Sequence, residues 1–197
     1  MRSPDERPAT AIYSAAQVRE LDRRAGAELG VPSFELMSRA GAEAFRLLRE
    51  RWPDARAIVV LCGAGNNAGD GLVLARHAKA AGLELRVLAV APPERLEGDA
   101  KRALEECVAA GIKLERFARL ERPADAGRTL VVDALLGIGA DRPLAGDFAA
   151  AVAEANALGE PDVGGSVDCH VSSLLAVEAR SLGTRLQNQK RKIRRLG

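Results

Sequence analysis

Apolar residues at helical spacing open the chain. In Ser14 followed by AAQVRELDRRAGAEL, residues Val18, Leu21, Ala25 and Leu29 share one face, and Gly30 stops the run. Pro32 and Ser33 then open FELMSRAGAEAFRLLRERW. Here Leu36, Ala40, Ala44, Leu47 and Leu48 form one stripe, and Pro53 ends the helix. The period changes at AIVVLC, residues 57–62. Its short, continuous, β-branched run predicts a strand in a sheet covered on both faces. GAGNNAGDG follows as a glycine-rich loop, then a helix over LVLARHAKAAG. A second strand is predicted at LRVLAVA (85–91), a helix over 94–110 and a weaker strand near 112–117. LVVDALLG (130–137) is the third clear strand, with a further helix over 147–158.

Strand, loop, helix, strand repeats at intervals that demand crossover connections. That order predicts an α/β fold: a Rossmann-like three-layer α/β/α sandwich with a mostly parallel sheet. Past Gly159 the pattern fades. GEPDVGGSVDCHVSS has no clean strand run and is broken by Gly164 and Gly165, so the C-terminal strands of such a sheet are expected to be altered or missing.

Composition narrows the function classes. The chain is 47% hydrophobic but only 3% aromatic, so its core must come from aliphatic packing. The formal charge of +2 conceals an asymmetry: QNQKRKIRRLG at 187–197 holds five basic residues and no acid, leaving a mildly acidic body. That balance, and a tail without aromatics to stack bases, argues against nucleic-acid binding. No apolar run is long enough to span a membrane, and MRSPDERPAT is no secretory signal. Cys62, Cys107 and Cys169 are odd in number and far apart, which suits a reducing cytoplasm rather than a disulfide framework.

The chemistry concentrates in two places. Gly63, Gly65 and Ala68 fit a G-x-G-x-x-A pattern between strand and helix, where backbone N–H groups can approach an anion. A dinucleotide-binding unit of the dehydrogenase type also needs an acid at the end of its second strand, and LAVAPP has none. Asn66, Asn67 and Asp70 sit among the glycines instead. Two carboxamides and a carboxylate suit a carboxamide-bearing ligand, ribose hydroxyls or a hard cation. The plainer alternative is that the asparagines shape a turn and Asp70 serves the helix N-terminus. The second place is Asp133, at the end of a buried parallel strand and followed by Gly137, Gly139, Asp141, Arg142 and Pro143. The carboxyl edge of an open α/β sheet is where ligands bind. If strands 57–62 and 130–136 are neighbours, Asp133 faces the Asn66–Asp70 stretch; otherwise it simply caps its own following turn.

CGAGNNAGDGLVLARHA (62–78) and VVDALLGIGADRPLAGDF (131–148), with AAQVRELDRRA and GVPSFELMSRAG upstream, resemble the NAD(P)H-hydrate epimerases, the YjeF N-terminal domain family. The resemblance covers about residues 12 to 158. It implies interconversion of the R and S forms of hydrated NADH or NADPH at C6 of the damaged nicotinamide ring, a metabolite repair that feeds a separate dehydratase. Carried over by position, the substrate-binding residues are Asn66, Asn67, Ala68, Gly69 and Asp70, with Gly137, Ile138, Gly139, Ala140, Asp141, Arg142 and Pro143. The potassium ligands fall on Asn67 and Asp133. A homodimer is also in keeping with the family. Ala68 stands where glycine is more usual, a departure that matters only if the position needs positive φ.

The family's D-x-P-S-G strand end has no intact counterpart. Asp168 is the displaced candidate for its acid/base, in a segment with neither the proline nor the glycine. The expected organisation is therefore an unstructured lead-in (1–11), a nucleotide-binding domain (12–158) and an atypical segment with a basic tail (159–197). The loss of the motif looks like a changed reading frame or terminus. It also leaves a competing expectation, a non-catalytic nucleotide-binding or scaffold protein that keeps the fold.

Overall fold

A computed structural model describes residues 14–121, 128–137 and 143–158, together with the backbone of 166–170. The expected lead-in (1–11), Ile138 to Arg142 and the basic tail lie outside the described residues. Helix α1 (Ala15–Leu29) is capped as its sequence predicts. Ser14 Oγ accepts from the Gln17 N–H, the Gln17 side chain accepts from the Ser14 N–H, and Gly30 closes the helix at φ 65°. Helix α2 (Ser33–Arg51) follows and lies against α1.

Among the described residues five strands form one sheet: β1 (Ala57–Cys62), β2 (Glu84–Ala89), β3 (Leu114–Arg116), β4 (Thr129–Ala134) and β5 (Ser166–His170). They lie in the order β3-β2-β1-β4-β5, every neighbouring pair parallel. The crossovers are α3 (Asn66–Ala80), α4 (Gly98–Ala109) and α5 (Gly146–Leu158). Alternation along β1 divides the core. Ile58, Val60 and Cys62 pack under α2, α3 and α4, while Val59 and Leu61 pack with Ala151, Ala155 and Leu158 of α5. Helices therefore cover both faces, as the uninterrupted apolar run of β1 requires.

Three expectations need correction. The GAGNNAGDG stretch is not all loop, because α3 starts at Asn66, directly after the Gly65 N-cap. The predicted helix over 94–110 is a short 3-10 turn (Pro93–Arg95) and then α4, separated around Gly98 at φ 52°. A strand does exist beyond residue 159. β5 pairs with β4 despite its polar composition, with an irregularity between Val131 and Asp133 at which β5 spends one residue more than β4.

Candidate functional site

The chain leaves β1 on one side of the sheet and β4 on the other, so the connections diverge between these neighbours. Leu61 pairs with Asp133 and Cys62 with Ala134, which puts the β1–α3 and β4–α5 connections side by side at the carboxyl edge. Their approach is close. The Gly63 N–H donates to the Ala134 carbonyl at 3.1 Å, and a Cβ on Gly63 would lie 1.9 Å from the Leu135 carbonyl oxygen. Only glycine permits this.

The first turn of α3 is buried rather than presented as a solvated loop. Asn66 is exposed, but Asn67 and Asp70 are each 5% exposed, and Ala68 is fully enclosed. The glycines in this turn serve packing, not turn geometry. A Cβ on Gly69 would sit 2.6 Å from the Met37 sulfur, and one on Gly71 2.5 Å from the Ala134 Cβ. Among the described residues no non-glycine has positive φ, so alanine at position 68 is no conformational burden. Neither asparagine shapes a turn and Asp70 does not cap α3, whose N-cap is Gly65 with no side-chain hydrogen bond.

Asn67 Nδ2 donates to the Leu136 carbonyl at 3.2 Å, joining the two connections directly. Its Oδ1 is buried without a hydrogen-bond partner among the described residues. Asp133 accepts the Leu135 N–H through Oδ1 at 2.9 Å, so it does cap its own following turn. By strand alternation it lies on the face of Val131, which α5 covers, whereas α3 covers the other. The two groups meet the same turn from opposite sides of the sheet.

Asp70 is the electrostatic anomaly. Burial, reinforced by the Asp22 carboxylate of α1, pushes its carboxyl up to about 8, so it holds its proton at neutral pH. Asp22 is itself raised by desolvation. The sequence pattern placed Asp70 in the site but gave no sign of this pairing, which needs α1 folded beside α3. Burial also holds the Cys62 and Cys107 thiols up, Cys107 to about 12. Among the described residues no three His, Cys, Asp or Glu side chains cluster, and no helix is long and apolar enough to cross a membrane.

Of the second predicted segment, Gly137 and Pro143 are described and Ile138, Gly139, Ala140, Asp141 and Arg142 are not. A Cβ on Gly137 would lie 3.5 Å from the Asn67 Cβ, so the segment starts in contact with the first. Asp168 lies on β5, two residues before His170, whose backbone pairs with Asp133.

Residues 33–172 match the family described as YjeF-related protein N-terminus. The chain belongs to this family. The match to the YjeF N-terminal family runs past Leu158 and takes in β5, further than the sequence motifs reached. The chain is similar to an NAD(P)H-hydrate epimerase of Rhodopirellula baltica, 41% identical over 72% of this chain and 58% of that one. It is also similar to one of Limosilactobacillus fermentum, 30% identical over 85% of this chain and 81% of that one. A bifunctional NAD(P)H-hydrate repair enzyme Nnr of Coxiella burnetii is 40% identical over 77% of this chain, which spans only 30% of that enzyme. In structure the chain resembles yeast YNL200c with a TM-score of 0.62 and 23% identity, covering 76% of this chain and 66% of that one. That likeness establishes the fold, the Rossmann-like three-layer sandwich.

Proposed function

We propose that this YjeF N-terminal domain is an isomerase that interconverts the R and S forms of hydrated NADH or NADPH at C6 of the nicotinamide ring. Its product would pass to a separate dehydratase, an activity consistent with the repair enzymes it resembles. The observation that carries the reading is the Asn67 amide. It is buried at the switch point, spends its N–H on the Leu136 carbonyl, and its oxygen has no hydrogen-bond partner among the described residues. The free buried thiols Cys62 and Cys107 suit a reducing compartment such as the cytoplasm.

Asn67 Oδ1 and the Asp133 carboxylate are hard oxygens of the kind a potassium ion takes, and a buried oxygen that nothing meets costs about 1–3 kcal/mol. When bound, the ion supplies fixed positive charge at the sheet edge. The protein's own groups do the rest. The segments Asn66 to Asp70 and Gly137 to Pro143 hold the cofactor, with the first N–H groups of α3 facing negative charge. C6 carries a hydroxyl beside the ring nitrogen, so it can epimerise by reversible loss of hydroxide or by reversible ring opening. The hydroxide leaves as water when an acid protonates it, and water adds back to the other face of the ring iminium, returning the proton. Asp168, on the strand next to Asp133, is the proposed acid/base for that proton.

The test is to supply pure R-hydrate and follow the appearance of S-hydrate by chiral chromatography. Asp168→Asn should lower the rate by about 10²–10⁴-fold while leaving cofactor binding intact. Cofactor binding without any epimerisation by the unaltered protein would refute the reading and favour a non-catalytic nucleotide-binding protein.

A further inference from the structure

The strand order β3-β2-β1-β4-β5 sets out the carboxyl edge of the sheet as a row of places for a dinucleotide. Asp168, the proposed acid/base, lies on β5, so the nicotinamide belongs at the β4–β5 end. The first N–H groups of α3, directly beyond β1, face the pyrophosphate. The end of β2 is left for the adenosine, one strand spacing of about 5 Å further on. An acid there takes the ribose hydroxyls of NADH, and an arginine takes the 2′-phosphate that only NADPH carries. β2 ends without an acid, and Pro92-Pro93-Glu94-Arg95 lies in the connection that follows.

That connection is held against the site. The Val90 N–H donates to the Cys62 carbonyl at 2.8 Å, which keeps the chain beside β1 for one residue past β2. Leu96 is buried in the same cluster as Ala68, and a Cβ on Gly69 would lie 3.0 Å from the Ala100 Cα. Ala68 and Gly69 both belong to the first turn of α3. Between these anchors the prolines carry a 3-10 turn. The Arg95 N–H donates to the Pro92 carbonyl and the Leu96 N–H to the Pro93 carbonyl, each at 3.0 Å. Arg95 stands exposed on this turn, and its guanidinium has no hydrogen-bond or ion-pair partner among the described residues. Arg76, Arg86 and Arg102 are each paired with a glutamate. Glu94 and Glu97 flank Arg95 and are also exposed. Their carboxylates are the acceptors a NADH ribose would use, which defines the contrary outcome.

We infer that Arg95 is a specificity-determining residue whose guanidinium meets the adenosine 2′-phosphate and makes NADPH hydrate the preferred substrate. The inference rests on the dinucleotide reading above and deepens it. A planar fork grips a phosphate bidentately, where a lysine offers only a point charge. The contact is remote from C6 and equal in ground and transition states, so it acts on KM rather than kcat.

The measurement is kcat/KM for the R-hydrates of NADPH and NADH, each followed by chiral chromatography. The unaltered protein should favour the NADPH form by about 10-fold or more, and added salt should shrink that ratio. Arg95→Ala should bring the ratio close to one through a higher KM for the NADPH form, and Arg95→Lys should keep part of the preference. Calorimetry with adenosine 2′,5′-bisphosphate and adenosine 5′-monophosphate reads binding alone. The bisphosphate should bind more tightly to the unaltered protein, and Arg95→Ala should abolish the difference. Equal use of the two hydrates by the unaltered protein, or preference for the NADH form, overturns the inference. So does a preference that Arg95→Ala leaves in place. Binding needs no turnover, so an Arg95-dependent preference for the 2′-phosphate in a chain that does not epimerise would preserve this inference while refuting the proposed activity. Epimerisation of both hydrates with equal kcat/KM would do the reverse.

Discussion

Replacing Asp70 by Asn should stabilise the domain at neutral pH, by an amount that grows with pH. The native carboxyl is held up to about 8 by burial and by Asp22, against an ordinary value of 3.8. Between those values the unfolded chain has lost this proton and the native chain keeps it. Native protein therefore binds the extra proton, and stability falls as pH rises through the window. Each pH unit costs about 1.4 kcal/mol, so the step from about pH 5 to about pH 7 costs the unaltered protein about 2.7 kcal/mol at this one residue. Asn is neutral throughout and escapes that cost. Urea unfolding followed by circular dichroism should show the gap between Asp70→Asn and the unaltered protein widening by roughly that amount from the lower pH to the higher. Asp22→Asn removes the neighbouring negative charge and should shrink the separation. Parallel stability profiles for Asp70→Asn and the unaltered protein would refute the reasoning, since an ordinary solvated carboxylate at position 70 gives no pH-dependent difference in this range.

Gly63→Ala should destabilise the domain by about 1–3 kcal/mol or more, because its Cβ would meet the Leu135 carbonyl at 1.9 Å and no flexible side chain can give way; denaturant midpoints check this. Cys62 and Cys107 should resist alkylation in the native protein and react promptly in urea, as buried thiols with raised proton affinity do. Peptide mapping by mass spectrometry separates them from Cys169. Ser14→Ala should cost about 1 kcal/mol through loss of the capping box, seen as faster exchange of the first amides of α1.

The elements legible in the sequence were those whose residues repeat one physical message. AIVVLC is apolar at every position and became β1 with the predicted limits. Ser14, Gln17 and Gly30 mark both ends of α1 by local hydrogen bonding alone. SVDCH carries no such message: its strand depends on pairing with β4, a partner distant in sequence. The glycines of GAGNNAGDG misled for a related reason. Glycine ordinarily marks a turn, but Gly69 and Gly71 lie inside α3, where Met37 and Ala134 pack closely against them. At the site, residue types and spacing singled out Asn67, Asp70 and Asp133. The Asn67 bridge to Leu136 and the proton on Asp70 depend on neighbours supplied by the fold.

Helix α3 is enclosed by α2 and α4 and laid against the sheet, with every residue from Asn67 to Ala75 buried. It is also the helix that begins with the candidate site. Most binding loops belong to the least stable part of a protein and open on their own. Here the polar turn is continuous with the centre of the core, so its opening is tied to the opening of the domain. The site should stay intact as conditions become harsher and be lost together with the fold, with no intermediate stage of local loosening.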